Sequence, residues 1–183
     1  MTDYMLSLLT PPASEPVTLA EALTQCHADA GVEDDWFAAR ISAGRQKVED
    51  YIKRSLVTQT WVLRIEGTIP AVMDLPRSPV QELVSVTYQP DARSEGVEVD
   101  IDDITLINEG CPARTILPNG YGVGVLRVEY RAGYSAENLP QPLRDAILLY
   151  VSYGYENRAG ESDIPKAFYN LIEAYRLWVW IDK

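Results

Sequence analysis

The sequence predicts an α+β fold, in which a helical core of about four helices carries a small antiparallel β lobe inserted between the second and third helices. Apolar residues recur at helical spacing before residue 56 and again after residue 137. Between these segments, over residues 57–136, apolar and polar residues alternate, and glycine, proline and asparagine separate the alternating runs. Residues 1–56 and 137–183 are therefore expected to form one core, with 57–136 as the insertion.

The chain is expected to begin with an irregular arm that lasts until Pro16, because Pro11 and Pro12 interrupt any regular pattern. Thr18 and Glu21 then have the spacing of a capping box, in which each side chain accepts a hydrogen bond from the other residue's backbone amide. This pair predicts the start of a short first helix.

The second helix is predicted from Asp34 and Asp35, whose negative charges suit the positive end of a helix. It is expected to end at Arg54 or Ser55. Gly44 lies inside it and costs about 1 kcal/mol relative to alanine. A close contact with another helix would explain this glycine.

The β lobe is predicted from four runs in which every second residue is apolar. The apolar positions of the four runs are Trp61, Leu63 and Ile65; Val84, Val86 and Tyr88; Val97, Val99 and Ile101; and Leu126, Val128 and Tyr130. Such alternation is typical of half-buried antiparallel strands.

The third helix, which follows Pro142, is apolar almost all round, so more than one surface must cover it. A neighbouring copy of the chain is a suitable cover. The residues expected at this subunit interface are Leu148, Leu149, Tyr153 and Tyr155.

A last helix is predicted from Asp163 and Pro165, which suit its cap and first turn. An apolar tail follows it, and large apolar residues at a terminus need a surface to cover them. The tail residues are Leu177, Trp178, Val179, Trp180 and Ile181. They either dock on a partner or fold back on the chain's own core.

The charge balance disfavours two classes of partner. The formal net charge is -11 and the sequence pI is about 4.5. Affinity for nucleic acid depends mainly on cationic side chains, as does binding to an anionic membrane surface.

The two cysteines are too few for a disulfide framework, and neither a secretion signal nor a membrane-spanning run is recognised, so synthesis in a cytoplasm is expected.

No catalytic, cofactor-binding or metal-binding residue is predicted. His27 is the single histidine, and Cys26 beside it would point about 100° away on a helix, which disfavours a shared metal. The carboxylates of 100–103 lack the glycine and closing glutamate of an EF-hand loop. The glycines of 120–124 precede a strand rather than a helix, unlike a phosphate-binding loop.

The order of the segments is similar to that in a known family. The matching segments are residues 17–22, 48–56, 57–63, 75–80, 84–88, 128–134, 139–149 and 155–158. This succession resembles the head–tail connector (adaptor) proteins of tailed phages, including those of prophages and gene transfer agents. The resemblance extends from Val17 to Tyr175.

The resemblance implies a structural virion protein without catalysis or cofactor, assembled in the host cytoplasm and located in the neck of the particle. It implies a ring of about twelve copies between the portal protein and a stopper or tail-completion protein, with DNA passing through the lumen without sequence-specific binding. C-terminal segments in this family engage the portal, so the apolar tail is expected to dock there.

Two other interpretations remain open from the residues alone. The chain could be a ligand- or carbohydrate-binding module, with the β lobe as its binding face. Alternatively, carboxylates fixed across a cleft could serve a hydrolase, although no such pair stands out in the sequence.

Overall fold

The computed structural model describes residues 2–91, 94–108, 112–118, 121–135, 137–158 and 163–177. The chain forms two compact units, one built around helices and one around antiparallel sheets, which confirms the predicted α+β class. The helical unit contains Ser14–Val57 and Tyr134–Arg176. The β unit contains the described parts of Met1–Ala13, Thr58–Gly133 and Leu177–Lys183. The predicted division into 1–56, 57–136 and 137–183 as domains stays a prediction.

Four helices make up the described part of the helical unit. They are α1 (Leu19–Cys26), α2 (Asp34–Ile52), α3 (Gln141–Glu156) and α4 (Lys166–Ile172), and a 3-10 turn, Glu173–Tyr175, follows α4. The predicted capping box starts α1, because the Thr18 hydroxyl accepts from the Glu21 amide while the Glu21 carboxylate accepts from the Thr18 amide. The helix α2 ends before Lys53, whose φ of 59° is left-handed.

The core of the helical unit lies between α2 and α3, with α1 and α4 packed beside them. Gly44 marks the closest approach of the two long helices. A Cβ atom on Gly44 would lie 3.0 Å from Cδ1 of Tyr150 and 3.3 Å from Cγ2 of Ile147. The predicted helix contact at this glycine is therefore confirmed.

The β unit has eight described strands. They are β1 (Asp3–Thr10), β2 (Gln59–Thr68), β3 (Val72–Leu75), β4 (Val80–Gln89), β5 (Val97–Val99), β6 (Thr105–Ile107), β7 (Ala113–Ile116) and β8 (Val123–Ala132). Five form one antiparallel sheet in the order β1-β2-β8-β4-β5, and three form a second sheet in the order β3-β7-β6. The apolar residues of β2, β4 and β8 form the centre of the core.

The N-terminal arm is not irregular, as the sequence predicted, but begins with strand β1. Residues Asp3–Thr10 pair with β2 from Asp3 opposite Glu66 to Thr10 opposite Thr60. Five of the six residues from Tyr4 to Leu9 are apolar, so the segment shows no clean alternation of apolar and polar positions. The prolines end the strand; they do not prevent it.

The run predicted to include Ile101 is shorter than expected. Strand β5 ends at Val99, and a 3-10 turn, Ile101–Asp103, follows it. The Asp100 carboxylate accepts a hydrogen bond from the Asp102 amide and caps this turn, which ends the extended conformation.

Candidate interaction surfaces

Helix α3 presents the residues predicted for a subunit interface on its less buried side. Leu148, Leu149, Tyr153 and Tyr155 are all half-buried, whereas the opposite side of α3 is buried. The Tyr155 ring lies against the chain's own aromatic residues, with centroid distances of 5.2 Å to Phe37 and 5.8 Å to Trp36. The chain thus covers part of α3 itself, and the interface role of these residues stays a prediction.

Part of the remaining surface of α3 is occupied by an arginine of α2. The Arg40 guanidinium lies over the Tyr150 ring, with Cζ 4.3 Å from the ring centroid. Gly154 makes room for it, since a Cβ atom there would lie 2.5 Å from Nε of Arg40. This cation–π contact fixes Arg40 across the helix pair.

A shallow groove runs between α1 and α3 on the surface of the helical unit. Its lining residues are Ala20, Glu21, Thr24, Gln25, His27 and Leu148. Leu148 is the one predicted interface residue in this lining. The Thr18 amide and hydroxyl and the Arg144 guanidinium hold the pKa of the Glu21 carboxyl below its usual range, and the Glu21 carboxylate forms an ion pair with Arg144.

The segment before the apolar tail is fixed to the C-terminal end of α2. The Tyr51 hydroxyl donates to the Glu173 carboxylate, and the Arg176 guanidinium lies 5.0 Å from the Tyr51 ring centroid. Nε of Arg54 donates to the carbonyl of Tyr175 at 2.6 Å. These contacts set the position from which the tail departs.

The tail itself is described only at its first residue. Leu177 is buried, with 5% of its surface exposed. Trp178, Val179, Trp180 and Ile181 lie outside the described residues, so the predicted docking role of the tail stays a prediction.

Strand β1 is an apolar surface that sequence reasoning missed. It is an edge strand of the five-stranded sheet, and four large apolar residues on it are exposed. The exposed fractions are 41% for Tyr4, 61% for Met5, 44% for Leu8 and 50% for Leu9. The available signal was the density of apolar residues from Tyr4 to Leu9, in a segment whose single charged residue is Asp3.

The chemistry-bearing residues do not gather into a metal centre in the described ranges, and no described helix is long and apolar enough to cross a membrane. His27 lies in the exposed lining of the α1–α3 groove. The buried charged residues Arg45 and Glu49 form an ion pair at 2.8 Å, and Glu49 also accepts from the Leu56 amide. Both residues lie in α2, and the Leu56 contact connects this helix to the segment that follows it.

Comparison with known proteins gives a likeness in structure. No family model and no curated sequence matches the chain. A chain in the neck of an empty gene transfer agent particle, computed with C6 symmetry, superposes with a TM-score of 0.79 at 22% identity. A chain in the virion of a native gene transfer agent particle gives 0.79 at 20%, and one in the neck of a native particle with C12 symmetry gives 0.69 at 23%.

Each of these likenesses covers 98% of both chains. The helical unit and the β unit therefore both have counterparts. The predicted resemblance is confirmed in the fold. At these identities the likeness concerns the path of the backbone, and the roles of individual side chains have to be argued from this chain.

Proposed function

We propose that the chain is a structural subunit of the neck of a phage-like particle, and that it acts as a head–tail adaptor rather than as an enzyme. The observation that carries this proposal is the likeness to chains of gene transfer agent necks over 98% of both chains. A match of that extent supports the proposal over the whole fold, because both units have counterparts in the neck chains.

In the proposed assembly, about twelve copies form a ring between the portal and a stopper or tail-completion protein. The C6 and C12 symmetries of the similar particles support a cyclic arrangement. The half-buried side of α3 with Leu148, Leu149, Tyr153 and Tyr155 would contact a neighbouring copy. Each residue buried there would add to the apolar area removed from water.

DNA would pass through the lumen without sequence-specific contacts. A net charge of -11 supports this role, because a surface with excess carboxylates repels phosphate and so does not retain the passing polyanion.

The apolar tail would dock on the portal. The contacts of Tyr51, Arg54 and Arg176 support this role, because they hold the chain immediately before the tail at a defined place on the helical unit. A tail that leaves from a fixed point loses less conformational freedom on docking than one on a loose linker.

Removal of the tail provides the test. A chain that stops after Leu177 keeps the buried Leu177 and lacks residues 178–183, so we expect its thermal unfolding to be nearly unchanged. We expect its binding to purified portal protein to fall by about tenfold or more, as for loss of a cluster of large buried anchors. Binding is measured by sedimentation, with the full chain in parallel.

The same sedimentation experiment tests the ring. The full chain with portal protein should give a complex whose mass corresponds to a ring of copies bound to the portal. A chain that stays monomeric beside the portal would contradict the adaptor function. Unchanged portal binding by the truncated chain would instead show that the docking surface lies elsewhere.

A further inference from the structure

The two edge strands of the five-stranded sheet, β1 and β5, run in the same direction. Every neighbouring pair in the order β1-β2-β8-β4-β5 is antiparallel, and an odd number of alternating strands gives both edge strands the same direction. In the described ranges no strand pairs with the outer side of β1 or of β5. The backbone groups on such outer sides are available to another strand.

Cross-strand rows of apolar side chains run from one edge to the other. One row consists of the direct partners Tyr4, Ile65, Leu126, Tyr88 and Val97. Its centre is buried, but Tyr4 at one end is 41% exposed and Val97 at the other is 63% exposed. The core-facing apolar row thus remains open at both edges.

The two edges differ in charge. Strand β1 carries only Asp3 and exposes Met5, Leu8 and Leu9, so it lacks the charged side chains that usually keep edge strands from pairing. Around β5 the sequence from 95 to 103 contains five carboxylates and neither lysine nor arginine. Two β5 edges would therefore repel each other, whereas β1 can approach β5 without that repulsion.

On the outer face of the sheet, a second cross-strand row also differs in charge between the β1 and β5 edges. Its direct partners are Met5, Arg64, Arg127, Thr87 and Glu98. Arg64 lies on β2, next to the β1 edge, Arg127 lies on the central strand β8, and the carboxylate of Glu98 lies at the β5 edge. Joining β1 of one copy to β5 of another brings Glu98 towards Arg64, whereas joining two β1 edges brings arginine-bearing rows together.

From these observations we propose that strand β1 pairs in parallel with strand β5 of a second copy of this chain. The inference rests on the proposed function as a ring subunit. The rows continue across the junction, so Tyr4 lies beside Val97 of the second copy, and Met5 lies beside Glu98 of the second copy. Because each copy uses two different edges, the contact is heterologous and can close into a ring.

Cysteine cross-linking tests the junction, in a chain carrying Cys26→Ser and Cys111→Ser. Met5→Cys and Glu98→Cys are made as two single variants, since both positions are exposed at the two edges. Adjacent strands lie about 4.8 Å apart, within the reach of a disulfide. Rings assembled on portal protein from a mixture of the two variants should oxidise to covalent dimers, whereas rings of either variant alone should not.

A charge substitution gives an independent measurement. Met5→Glu should weaken assembly by about tenfold, because the new carboxylate would lie beside Glu98 of the second copy, and like charges at directly opposite strand positions repel each other. Val72→Glu is the matched control, since Val72 is also an exposed apolar strand residue, at 51%, but lies on the second sheet. It should assemble normally. Thermal unfolding of both variants verifies that each remains folded.

The outcomes separate this inference from the proposed function. Rings that form without the mixed cross-link, or in which Met5→Cys alone cross-links, overturn the β1–β5 junction and leave the ring subunit intact. Equal assembly by the Met5→Glu and Val72→Glu variants also overturns it. A full-length chain that stays monomeric with portal protein overturns both.

Discussion

Tyr130 is the most deeply buried tyrosine among the described residues, and its hydroxyl makes one hydrogen bond. Its ring is fully buried in the β unit, and its hydroxyl donates to the carbonyl of Pro76 at 3.0 Å. This hydrogen bond joins β8 to the turn after β3. Burial raises the pKa of the Tyr130 hydroxyl well above its ordinary value, because the phenolate would lose its hydration.

Replacement of Tyr130 by phenylalanine should lower the free energy of unfolding by about 1–3 kcal/mol, since it leaves the buried Pro76 carbonyl without its donor. Tyr88→Phe is the control: the Tyr88 hydroxyl also donates to a carbonyl, that of Val123, but in an exposed position. Its effect should stay within about 0.5 kcal/mol. Urea unfolding at neutral pH measures both.

The difference in stability between wild type and the Tyr130→Phe variant should depend on pH. The ordinary phenol pKa of about 10 applies to the unfolded chain, and the folded pKa is higher. The stabilising contribution of Tyr130 is therefore complete below pH about 10 and declines above it, by about 1.4 kcal/mol per pH unit, as the unfolded state loses its proton. The difference in unfolding free energy between wild type and Tyr130→Phe should therefore be constant up to about pH 9 and should narrow between about pH 10 and pH 11. An unchanged gap would contradict the role given to burial.

At the scale of elements, a buried ion network holds the segment before α1 against α2. Nε of Arg45 donates to Glu15 at 2.7 Å, and its Nη1 donates to Glu49 at 2.8 Å. Arg45 and Glu49 are about as buried as core residues, with 6% and 5% exposed. Removing one partner of such a network leaves a buried charge without its ion-pair partner.

Arg45→Ala should therefore cost about 3–5 kcal/mol of unfolding free energy. Arg131→Ala is the comparison, because Arg131 also bridges a glutamate, Glu82, but both side chains are about half exposed. Its cost should not exceed about 1 kcal/mol. Chemical denaturation of the two variants checks the difference, and equal losses would mean that the Arg45 network is not desolvated in solution.

Sequence patterns predicted the elements with strong local signals. The capping box at Thr18, the helical period of α2 and α3 and the alternation in β2, β4 and β8 all have counterparts in the structure. Strand β1 could not be recognised as readily, since a strand is stabilised by its partner, and β2 lies some fifty residues later. The small sheet of β3, β6 and β7 was missed because strands of three or four residues are too short to show a period.

The candidate surfaces were predictable to different degrees. The circumference of α3 showed an excess of apolar residues, but the sequence could not show that Trp36, Phe37 and Arg40 of α2 cover part of it. The open edge of β1 depends on strand order, which no local pattern encodes.

At the scale of the whole molecule, the net charge of -11 opposes the association of identical copies. The Arg64–Glu98 attraction at each proposed junction is small beside that repulsion, so apolar contact must drive assembly. Salt shortens the range of charge repulsion from about 30 Å at 0.01 M to about 8 Å at 0.15 M.

Self-assembly of the chain should therefore increase with sodium chloride over this range, measured by light scattering at constant protein concentration. A variant with several exposed carboxylates of the 95–103 segment replaced by amides should show a weaker dependence. Dissociation on adding salt would contradict this expectation and would indicate that ion pairs hold the copies together.

The order of strands in the sheet has a consequence for the nascent chain. Strand β8 is the central strand, yet it is the last of the five to be synthesised, and α3, the main partner of α2, follows it. While the polypeptide emerges from the ribosome, β2 and β4 lack β8, the strand that pairs with both of them. Helix α2 likewise lacks α3, the helix that packs against it. Both units are completed within the last third of translation, so premature termination before residue 123 leaves neither of them whole.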